Sequence, residues 1–358
     1  MSNLLKDEIN LKAIKKLAVL MKNHHSEFDT DKFLSLVFIQ DWPELSLKQR
    51  IRHLSTVLYT TLNLSFNDAI ELLKCVSTEF DGLFHFVFAD YVEVYGVEEF
   101  DTSIDALELF TQNSTAEFAI RAFLQAYPEK TKQQMLIWSK SNNHHLRRLA
   151  SEGIRPKLPW ATHIDWIAKN PQWVRPIIEN LKADQSRYVQ KSVANLLNDF
   201  SKTEPDWVLA LANEWLKQNN TNTNWIVKHA LRTLLKAGDS HALQLMGYGS
   251  VKHIHLTAWC MSKQVKIGEK LTAEFELQAN QALGFLRIEY ALYFLRSRLM
   301  PYRKVFKVAE SDYTVNSKAF RLTHNFKPIT TRNYLPGLHK IELLINGQVI
   351  ETAEFELI

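Results

Sequence analysis

The sequence has little glycine and little cysteine, and each shortage excludes a class of protein. Its 358 residues include 10 glycines and contain neither a G-x-x-x-x-G-K-[ST] nor a G-x-G-x-x-G pattern, which argues against a glycine-rich nucleotide-binding loop. The two cysteines, Cys75 and Cys260, are too few and too far apart for a disulfide framework or a four-ligand zinc site. We expect both to be core residues of a protein in the reducing cytoplasm.

Long apolar runs and catalytic motifs are also missing. No stretch approaches the roughly 18 residues that span a membrane, and the first 23 residues resemble an amphipathic helix more than a signal peptide. Histidine pairs occur at 24–25 and 144–145, but neighbouring helical side chains point about 100° apart. There is no H-E-x-x-H, C-x-x-C or G-x-S-x-G pattern. We therefore expect a cytoplasmic protein with no membrane partner, no metal and no other cofactor.

The charges are distributed unevenly along the chain. The net charge is +4, but residues 1–140 hold 14 basic and 20 acidic side chains. Residues 141–249 hold 14 basic against 9 acidic, and residues 250–358 hold 15 against 10. Two basic regions behind an acidic one favour a polyanionic partner such as nucleic acid. An ordinary solvated surface would give the same counts, so charge alone leaves both interpretations open.

Helical periodicity extends from Leu4 to about Leu245. Apolar residues recur at intervals of three and four, as in "DWVLALANEWLKQ", where Trp207, Leu211 and Trp215 share a stripe. Breakers such as "AYPEK", "KNPQW", "TEPDW" and "KAGDS" separate the periodic segments. The pattern predicts ten to twelve helices of ten to fifteen residues.

Three segments in the second half of this region align without gaps. They are "LRRLASEG" from residue 146, "VQKSVANL" from residue 189 and "IVKHALRT" from residue 226. Each has a cation at its third position, namely Arg148, Lys191 and Lys228. The spacing is typical of HEAT-like helical repeats, which stack into a solenoid whose second helices line a concave surface.

Carboxylates follow the same helical faces as these cations. The residues four or eight positions further on are Glu152, Asn195, Asp199 and Arg232. Glu117 and Arg121, in "STAEFAIRAFL", are spaced in the same way. If these helices line one groove, the groove is basic with a few carboxylates set into it. Ordinary i,i+4 ion pairing on a surface would produce the same spacing.

After Gly249 the apolar period changes from 3.6 to 2. Alternating residues occur in "KLTAEFEL" and "LRIEYALYF", and "KIELLINGQVIETAEFEL" predicts a hairpin with a type I′ turn at Asn346-Gly347. Five to seven such strands indicate a small antiparallel β-sandwich of immunoglobulin-like type, without a cysteine pair. The sequence therefore predicts a mainly α protein, with a HEAT-like α-helical solenoid over residues 1–249 and an Ig-like β-sandwich over residues 250–358.

The stretch "RRLASEGIRPKLPW", residues 147–160, places Glu152 among several cations. A carboxylate there weakens binding to phosphates, but it is useful if positive charge develops during a reaction. Cleavage of an N-glycosidic bond creates such a charge on the sugar and needs a water on the opposite face. Alternatively, Glu152 only bridges Arg148 and Arg155. Trp160 could cover a base or a cation, or it could pack between repeats.

At these residues the chain resembles the AlkC family of alkylpurine DNA glycosylases. The resemblance rests on "EFAIRAFL", "SEGIRPKLPW", "SVANLLNDFSK", "KHALRTLLKAGD" and "ITTRNYLPGLHKIELLINGQVI", which occur in this order, and on "LLKD", "FDTDKFL" and "RIRHLS" near the start. It covers nearly the whole chain. It implies a HEAT-like domain that holds duplex DNA containing alkylated bases and excises cationic N-methylated bases, chiefly 3-methyladenine and in some members 3-methylcytosine. A C-terminal Ig-like domain is also implied.

The resemblance also implies the site. Its acidic positions fall on Glu117, Glu152 and Asp199, with Glu152 and Asp199 expected to stabilise the cationic sugar and position water. The expected DNA-binding residues, including those of the repeat faces, are Arg148, Arg155, Lys157, Trp160, Lys191, Lys228 and Arg232. Lysine at position 157 stands where arginine is often expected, and it keeps the charge but loses bidentate phosphate geometry.

A 3-methyladenine leaving group is already cationic, so it needs no general acid, and no lysine is needed for a Schiff base. We therefore expect a monofunctional glycosylase. We also expect a monomer. Because Trp160 is the one aromatic residue that we place in the groove, we expect the lesion to be read without a tight base pocket. The Ig-like domain, whose "RSRLMPYRK" and "ITTRNY" loops are basic, is expected to grip the duplex. Two other functions remain open, namely a non-catalytic HEAT-repeat scaffold for DNA or protein and an adaptor that binds acidic peptides.

Overall fold

The computed structural model describes residues 5–296, 299–328 and 334–358, with its helices before residue 246 and its strands after residue 253. Two compact units are present. One comprises Met1–Glu204 with Trp215–Ala230, and the other comprises Pro205–Glu214 with Leu231–Ile358. The change from helix to strand lies close to residue 249, but the units divide the chain differently. The two domains predicted from the sequence, residues 1–249 and 250–358, therefore stay a prediction.

Sixteen α-helices occur in the described residues, more than the ten to twelve predicted. Proline explains part of the difference, because Pro128 begins a new helix only two residues after Ala126 ends the previous one. Their bounds are α1 (Leu11–His24), α2 (Thr30–Val37), α3 (Leu47–Leu62), α4 (Phe66–Ser77), α5 (Phe86–Tyr95), α6 (Phe100–Asn113), α7 (Ile120–Ala126), α8 (Pro128–Trp138), α9 (His144–Glu152), α10 (Asp165–Ala168), α11 (Pro171–Leu181), α12 (Arg187–Phe200), α13 (Pro205–Leu216), α14 (Thr221–Ala230), α15 (Arg232–Ala237) and α16 (Ser240–Leu245). Two 3₁₀ helices, Leu5–Glu8 and Trp42–Glu44, are also present.

The helices pack through the apolar stripes that the periodicity predicted. Helix α1 begins at the cap Asn10, whose side chain accepts from the Ala13 amide, and it buries Ile14, Leu17 and Met21 on one side. Within the first unit α3 packs on α5 and α5 on α7, while α12 packs between α9 and α14. Consecutive layers of this kind are expected of helical repeats.

The third repeat segment is divided between two helices. Helix α14 ends at Ala230, Leu231 has φ −78° and ψ 0°, and α15 begins at Arg232. The expectation that Arg232 shares the helical face of Lys228 stays a prediction, since Lys228 belongs to the first compact unit and Arg232 to the second.

The strands form two sheets, and the described residues hold eight strands instead of the five to seven predicted. One sheet has the order β1-β3-β6 and the other β2-β8-β7-β4-β5, and β2 pairs with β8 in parallel while the other pairs are antiparallel. The bounds are β1 (Ile254–Met261), β2 (Gln264–Val265), β3 (Lys270–Ala279), β4 (Gly284–Phe294), β5 (Tyr302–Tyr313), β6 (Ser317–Asn325), β7 (Gly337–Ile345) and β8 (Gln348–Leu357). The mainly α fold with a C-terminal β-sandwich is thus confirmed.

The alternation predicted for the strands is confirmed by burial. On β3 the residues Leu271, Phe275 and Leu277 are buried in the core of the sandwich, with polar residues between them. On β4 both faces are largely buried. Leu286, Ile288 and Leu292 face the core of the sandwich, and Arg287 and Glu289 on the other face form a buried ion pair.

The hairpin between β7 and β8 has the predicted turn. Asn346 and Gly347 have φ of 46° and 75°, the positive values that a type I′ turn requires. A Cβ on Gly347 would lie 2.8 Å from Leu243 Cδ1 and 2.9 Å from Gly238 Cα. Glycine at this position therefore satisfies both the turn and the close approach of the segment that follows α15.

The cysteines differ from expectation, since both are exposed. Cys75 lies on α4 away from the buried Ile70 and Leu73, and Cys260 lies on β1, an edge strand of its sheet. The prediction that both cysteines are core residues is therefore wrong. Among the helices of the described ranges, none combines the length and apolar character that a membrane span requires.

Candidate active site

Four segments of the first unit carry the predicted catalytic residues and their cations. Helix α9 carries Arg148 and Glu152, and the loop that follows it carries Arg155. Asp199 lies in the last turn of α12, and Glu117 lies in the turn before α7. Residues Ser151 and Ser192 help to align α9 with α12, since their hydroxyl oxygens lie 2.6 Å apart. The packing of α9 on α12 brings residues more than 40 positions apart into one cluster.

Arg155 joins two of the predicted carboxylates. Its Nη1 donates to Glu152 Oε1 at 2.6 Å, and its Nε donates to Asp199 Oδ2 at 2.9 Å. The ammonium of Lys202 lies 3.5 Å from the other oxygen of Asp199. Burial lowers the pKa of Arg155, but the adjacent Glu152 and Asp199 outweigh it, so the pKa is raised and the guanidinium stays charged.

Arg148 joins the third carboxylate to the same cluster. It forms an ion pair with Glu117 through Nη1, and its Nη2 lies 3.6 Å from Glu152 Oε1. Thr115 connects the pair, because its hydroxyl accepts from Arg148 at 2.7 Å and donates to Glu117 at 2.9 Å. The Arg148 guanidinium also lies 5.1 Å from the ring centroid of Tyr188. We call the set of Glu117, Arg148, Glu152, Arg155 and Asp199 the carboxylate–arginine cluster.

The cluster is nearly closed to solvent. Glu117, Glu152 and Asp199 are 8%, 6% and 4% exposed, and Arg155 is 7% exposed. Three carboxylates held by two arginines leave one excess negative charge, which Lys202 at its edge balances. Buried ion pairs cost desolvation energy unless well hydrogen-bonded, so their presence needs a reason beyond stability. The cluster can stabilise a cation brought beside it, because its carboxylates are pre-oriented in a site with little water.

Arg121 has a different role from the one that its spacing suggested. Glu117 lies before the first residue of α7, so the two are not on one helical face. Arg121 is buried, and its Nη1 donates to the carbonyls of Gly153 at 3.0 Å and Arg155 at 2.7 Å, while Nη2 donates to Thr162 O at 2.5 Å. Burial and the charge of Arg155 lower the pKa of Arg121 to about 10. Its guanidinium therefore supports the loop after α9 from beneath.

Trp160 projects from this loop. It is 58% exposed, so it is not packed between repeats, and its φ is +66°, in the left-handed region that tryptophan rarely adopts. Lys48 of α3 donates to its carbonyl at 2.6 Å and lies 5.6 Å from the ring centroid of Phe118. A strained backbone that displays a large aromatic side chain is a typical feature of a functional site.

The remaining predicted cations are more dispersed. Lys157 is half-buried in the loop after α9, Lys191 is exposed on α12, and Lys228 is half-buried on α14. Arg232 begins α15 in the second unit. Of the basic loops expected in the Ig-like domain, residues 297–298 and 329–333 lie outside the described residues, and these include Arg298 and Arg332.

Sequence inspection missed four residues of the site. Lys202 could have been found, because it follows Asp199 by only three residues, in the turn at the end of α12. Thr115, Tyr188 and Lys48 carried no local signal. Lys48 lies 112 residues from the carbonyl that it contacts. Tyr188 is 39% exposed, and burial of the rest of its side chain raises its pKa.

Comparisons with known proteins identify similarity to proteins of DNA alkylation repair. A family profile, DNA alkylation repair enzyme, matches residues 107–234, and a profile for the C-terminal Ig-like domain of the uncharacterised protein YhaZ matches residues 256–358. Uncharacterized protein YhaZ of Bacillus subtilis strain 168 is 41% identical over 355 residues, covering 99% of each chain. The structure of Pseudomonas fluorescens alkylpurine DNA glycosylase AlkC, bound to DNA containing an abasic site analogue, has a TM-score of 0.95 and 34% identity, covering 99% of this chain and 100% of that one.

Proposed function

This chain belongs to the AlkC family of alkylpurine DNA glycosylases. We propose that it hydrolyses the N-glycosidic bond of cationic N-methylated bases in duplex DNA, with 3-methyladenine as the chief substrate and 3-methylcytosine as a further one. The observation that supports this most is the carboxylate–arginine cluster. Three acidic side chains from separate segments converge there and are nearly buried. A groove that only bound phosphates would gain nothing from them.

The cluster supports a mechanism based on electrostatic stabilisation. As the glycosidic bond breaks, positive charge develops on the deoxyribose, and Glu152 and Asp199 would lie against that charge. A water must attack the opposite face from the leaving base, and one of these carboxylates would orient it. Glu117 would contribute third, because Arg148 already neutralises much of its charge.

The leaving group determines which other groups the reaction needs. A 3-methyladenine base carries a positive charge before it departs, so the transition state requires no proton donor. We propose a monofunctional enzyme that leaves an abasic site and forms no covalent intermediate. Borohydride should therefore trap no protein on methylated DNA, and a trapped adduct would contradict this part of the proposal.

The DNA contacts follow from where the cations lie. Arg148 and Arg155 form ion pairs with the carboxylates of the cluster. We propose that they keep these ion pairs when they contact DNA phosphates. Lys157, Lys191 and Lys228 would supply further phosphate contacts, with Arg232 on the second unit. Trp160, exposed at the tip of its loop, would lie against the duplex next to the lesion.

We also propose that the Ig-like domain assists DNA binding through its basic loops. Replacing Arg298 and Arg332 together with alanine should weaken binding to duplex DNA and lower base release at subsaturating enzyme. The same variant should keep the wild-type rate of release once the DNA is saturated. Unchanged affinity in this variant would remove these loops from the DNA interface.

The alternative function is a non-catalytic HEAT-repeat scaffold. It is favoured by one contact pattern, since Glu152 does bridge Arg148 and Arg155 as a purely structural residue would. Release of free base from methylated duplex DNA separates the two functions. A scaffold binds the DNA and releases no base, whereas the proposed enzyme releases 3-methyladenine and leaves an abasic site.

A further inference from the structure

The ring of Tyr188 lies against the carboxylate–arginine cluster, although the proposed mechanism gives it no role. Tyr188 is in the first turn of α12, the helix whose last turn carries Asp199. Its ring centroid lies 5.1 Å from the guanidinium of Arg148 on α9. An aromatic ring attracts a cation within roughly 6 Å of its centroid. Helix α12 therefore contributes a carboxylate to the cluster near one end and an aromatic contact near the other.

Two histidines at the start of α9 pack against the same ring. The ring centroids of His144 and His145 lie 6.2 Å and 5.9 Å from that of Tyr188, at interplanar angles of 77° and 68°. Both contacts are close to edge-to-face, an arrangement that aromatic pairs prefer. The side chain of Asn143 caps α9 and accepts from the His145 amide at 2.9 Å, which fixes this end of the helix. The position of the Tyr188 ring is therefore set by α9 itself.

The phenol of Tyr188 is neutral at neutral pH. Burial raises its pKa, Arg148 lowers it, and Glu117 and Glu152 raise it again, so that the pKa lies above the ordinary value of a tyrosine. The ring therefore offers Arg148 the electron-rich face of an uncharged aromatic group. It adds no further anion to the cluster.

Arg148 lies between two carboxylates and is bonded to them unequally. Its Nη1 forms an ion pair with Glu117 and donates to the Thr115 hydroxyl at 2.7 Å. Its Nη2 lies 3.6 Å from Glu152 Oε1, which is too far for a hydrogen bond. The same oxygen of Glu152 already accepts from Arg155 at 2.6 Å. Glu152 is thus hydrogen-bonded to one arginine, while the second arginine is held on Glu117.

This unequal sharing matters for the charge of Glu152. An arginine side chain has several rotatable bonds, and a guanidinium with no ring against it has more freedom to turn from Glu117 toward Glu152. A second cation at hydrogen-bond distance would neutralise more of the Glu152 charge, because the interaction strengthens as the separation shortens in a site with little water. The ring of Tyr188 opposes this movement by its contact with the guanidinium.

We infer that Tyr188 is a positioning residue, whose ring holds Arg148 on Glu117 and so leaves the charge of Glu152 available to the cationic sugar. The inference rests on the proposed function, because that function places Glu152 against the developing charge. The aromatic ring carries this role, and the hydroxyl group is not needed for it. Tyr188 acts on the reaction through Arg148 and not through a contact with the DNA.

The test is single-turnover release of 3-methyladenine from saturating methylated duplex DNA, with DNA affinity measured in parallel. We expect Tyr188→Leu to release the base about tenfold more slowly with unchanged affinity, and Tyr188→Phe to keep the wild-type rate. The matched control is Trp173→Leu. Trp173 is half-buried in the same unit, with its ring centroid 5.2 Å from the ammonium of Lys132. This control should also keep the wild-type rate.

A second measurement follows Arg148 without any reaction. In protein labelled at arginine, NMR measures how fast the guanidinium protons of Arg148 exchange with solvent. Exchange should be about tenfold faster in Tyr188→Leu and unchanged in Tyr188→Phe and Trp173→Leu. Tyr188→Met also lacks the ring and should behave as Tyr188→Leu does, so either variant, once urea denaturation shows that it is folded, decides the question.

The inference is overturned if the folded variants without the ring release base at the wild-type rate or leave the exchange at Arg148 unchanged. It is also overturned if Tyr188→Phe loses as much rate as Tyr188→Leu, or if DNA affinity falls together with the rate, since Tyr188 would then be a DNA contact. Wild type that releases no base, with faster exchange in the variants without the ring, overturns the proposed function and leaves the hold on Arg148 intact. Wild type that releases base at the same rate as those variants overturns the inference alone.

Discussion

Arg155 Nε lies 2.9 Å from Asp199 Oδ2, and this contact joins the loop after α9 to the end of α12. Removing the guanidinium would leave Asp199 and Glu152 buried with one cation fewer. We therefore expect Arg155→Ala to lower the free energy of unfolding by about 3–5 kcal/mol, measured by urea denaturation.

The matched control is Arg175→Ala, which removes a half-exposed arginine 3.7 Å from Glu179 in the same unit. Its cost should stay below about 1 kcal/mol. If the two variants lost equal stability, the contacts of Arg155 would contribute no more than a surface pair.

The sequence predicted which residues form the carboxylate–arginine cluster, but it did not predict all of the contacts that these residues and Arg121 make. Glu152 and Arg155 are only three residues apart in the sequence, so a contact between them is local. The repeat alignment related Asp199 to the same face. The partners of Glu117 and Arg121 could not be predicted, because both depend on where α7 begins and how the loop after α9 folds back. The eight-stranded sandwich was largely predictable, since alternation marks each strand locally.

Lys48 and Trp160 should act as one unit in DNA binding. Lys48 donates to the Trp160 carbonyl at 2.6 Å, which helps to hold that residue at a positive φ. We expect Lys48→Ala to weaken binding to duplex DNA with an abasic site about tenfold, near 1.4 kcal/mol. In a Trp160→Ala background the same substitution should have little effect, because no indole remains to be positioned.

Lys16→Ala is the control for this cycle. Lys16 also donates to a backbone carbonyl, that of Glu79, and lies 4.9 Å from the ring centroid of Phe80. It should leave DNA affinity unchanged. Equal effects of Lys48→Ala in the two backgrounds would show that Lys48 does not act through Trp160.

His85 should make stability depend on pH. Burial lowers its pKa to about 4, and its ring lies among Phe88 and Phe110. Between the unfolded value of about 6.5 and the folded value, the unfolded chain binds more protons, so stability falls as the pH falls. Between pH 7 and pH 4 the free energy of unfolding of His85→Gln should therefore fall by about 3 kcal/mol less than that of wild type.

Urea denaturation of both proteins across this range measures the effect, since titrating carboxylates contribute to both curves alike. His24→Gln, at an exposed histidine of α1, should reproduce the wild-type slope. Parallel curves for wild type and His85→Gln would contradict the assignment.

Lys191 should contribute to DNA binding through charge alone. It is exposed on α12, the helix that also carries Asp199. If it contacts one phosphate, Lys191→Ala should lower the slope of log affinity against log salt by about 1 and weaken binding equally for damaged and undamaged duplex. Lys217→Ala, at an exposed lysine of the same unit, should leave the slope unchanged. An unaltered slope for Lys191→Ala would place it outside the interface.

The buried carboxylates Asp199 and Glu152 should carry out the chemistry. The most direct measurement is single-turnover release of 3-methyladenine from methylated duplex DNA by wild type, Asp199→Asn, Glu152→Gln and the exposed control Asp165→Asn, with DNA affinity measured in parallel. We predict release by wild type and the control, and a loss of about 100-fold or more in the other two while they bind DNA as tightly as wild type or more tightly. Release at the wild-type rate by Asp199→Asn and Glu152→Gln, or no release by wild type, would contradict it.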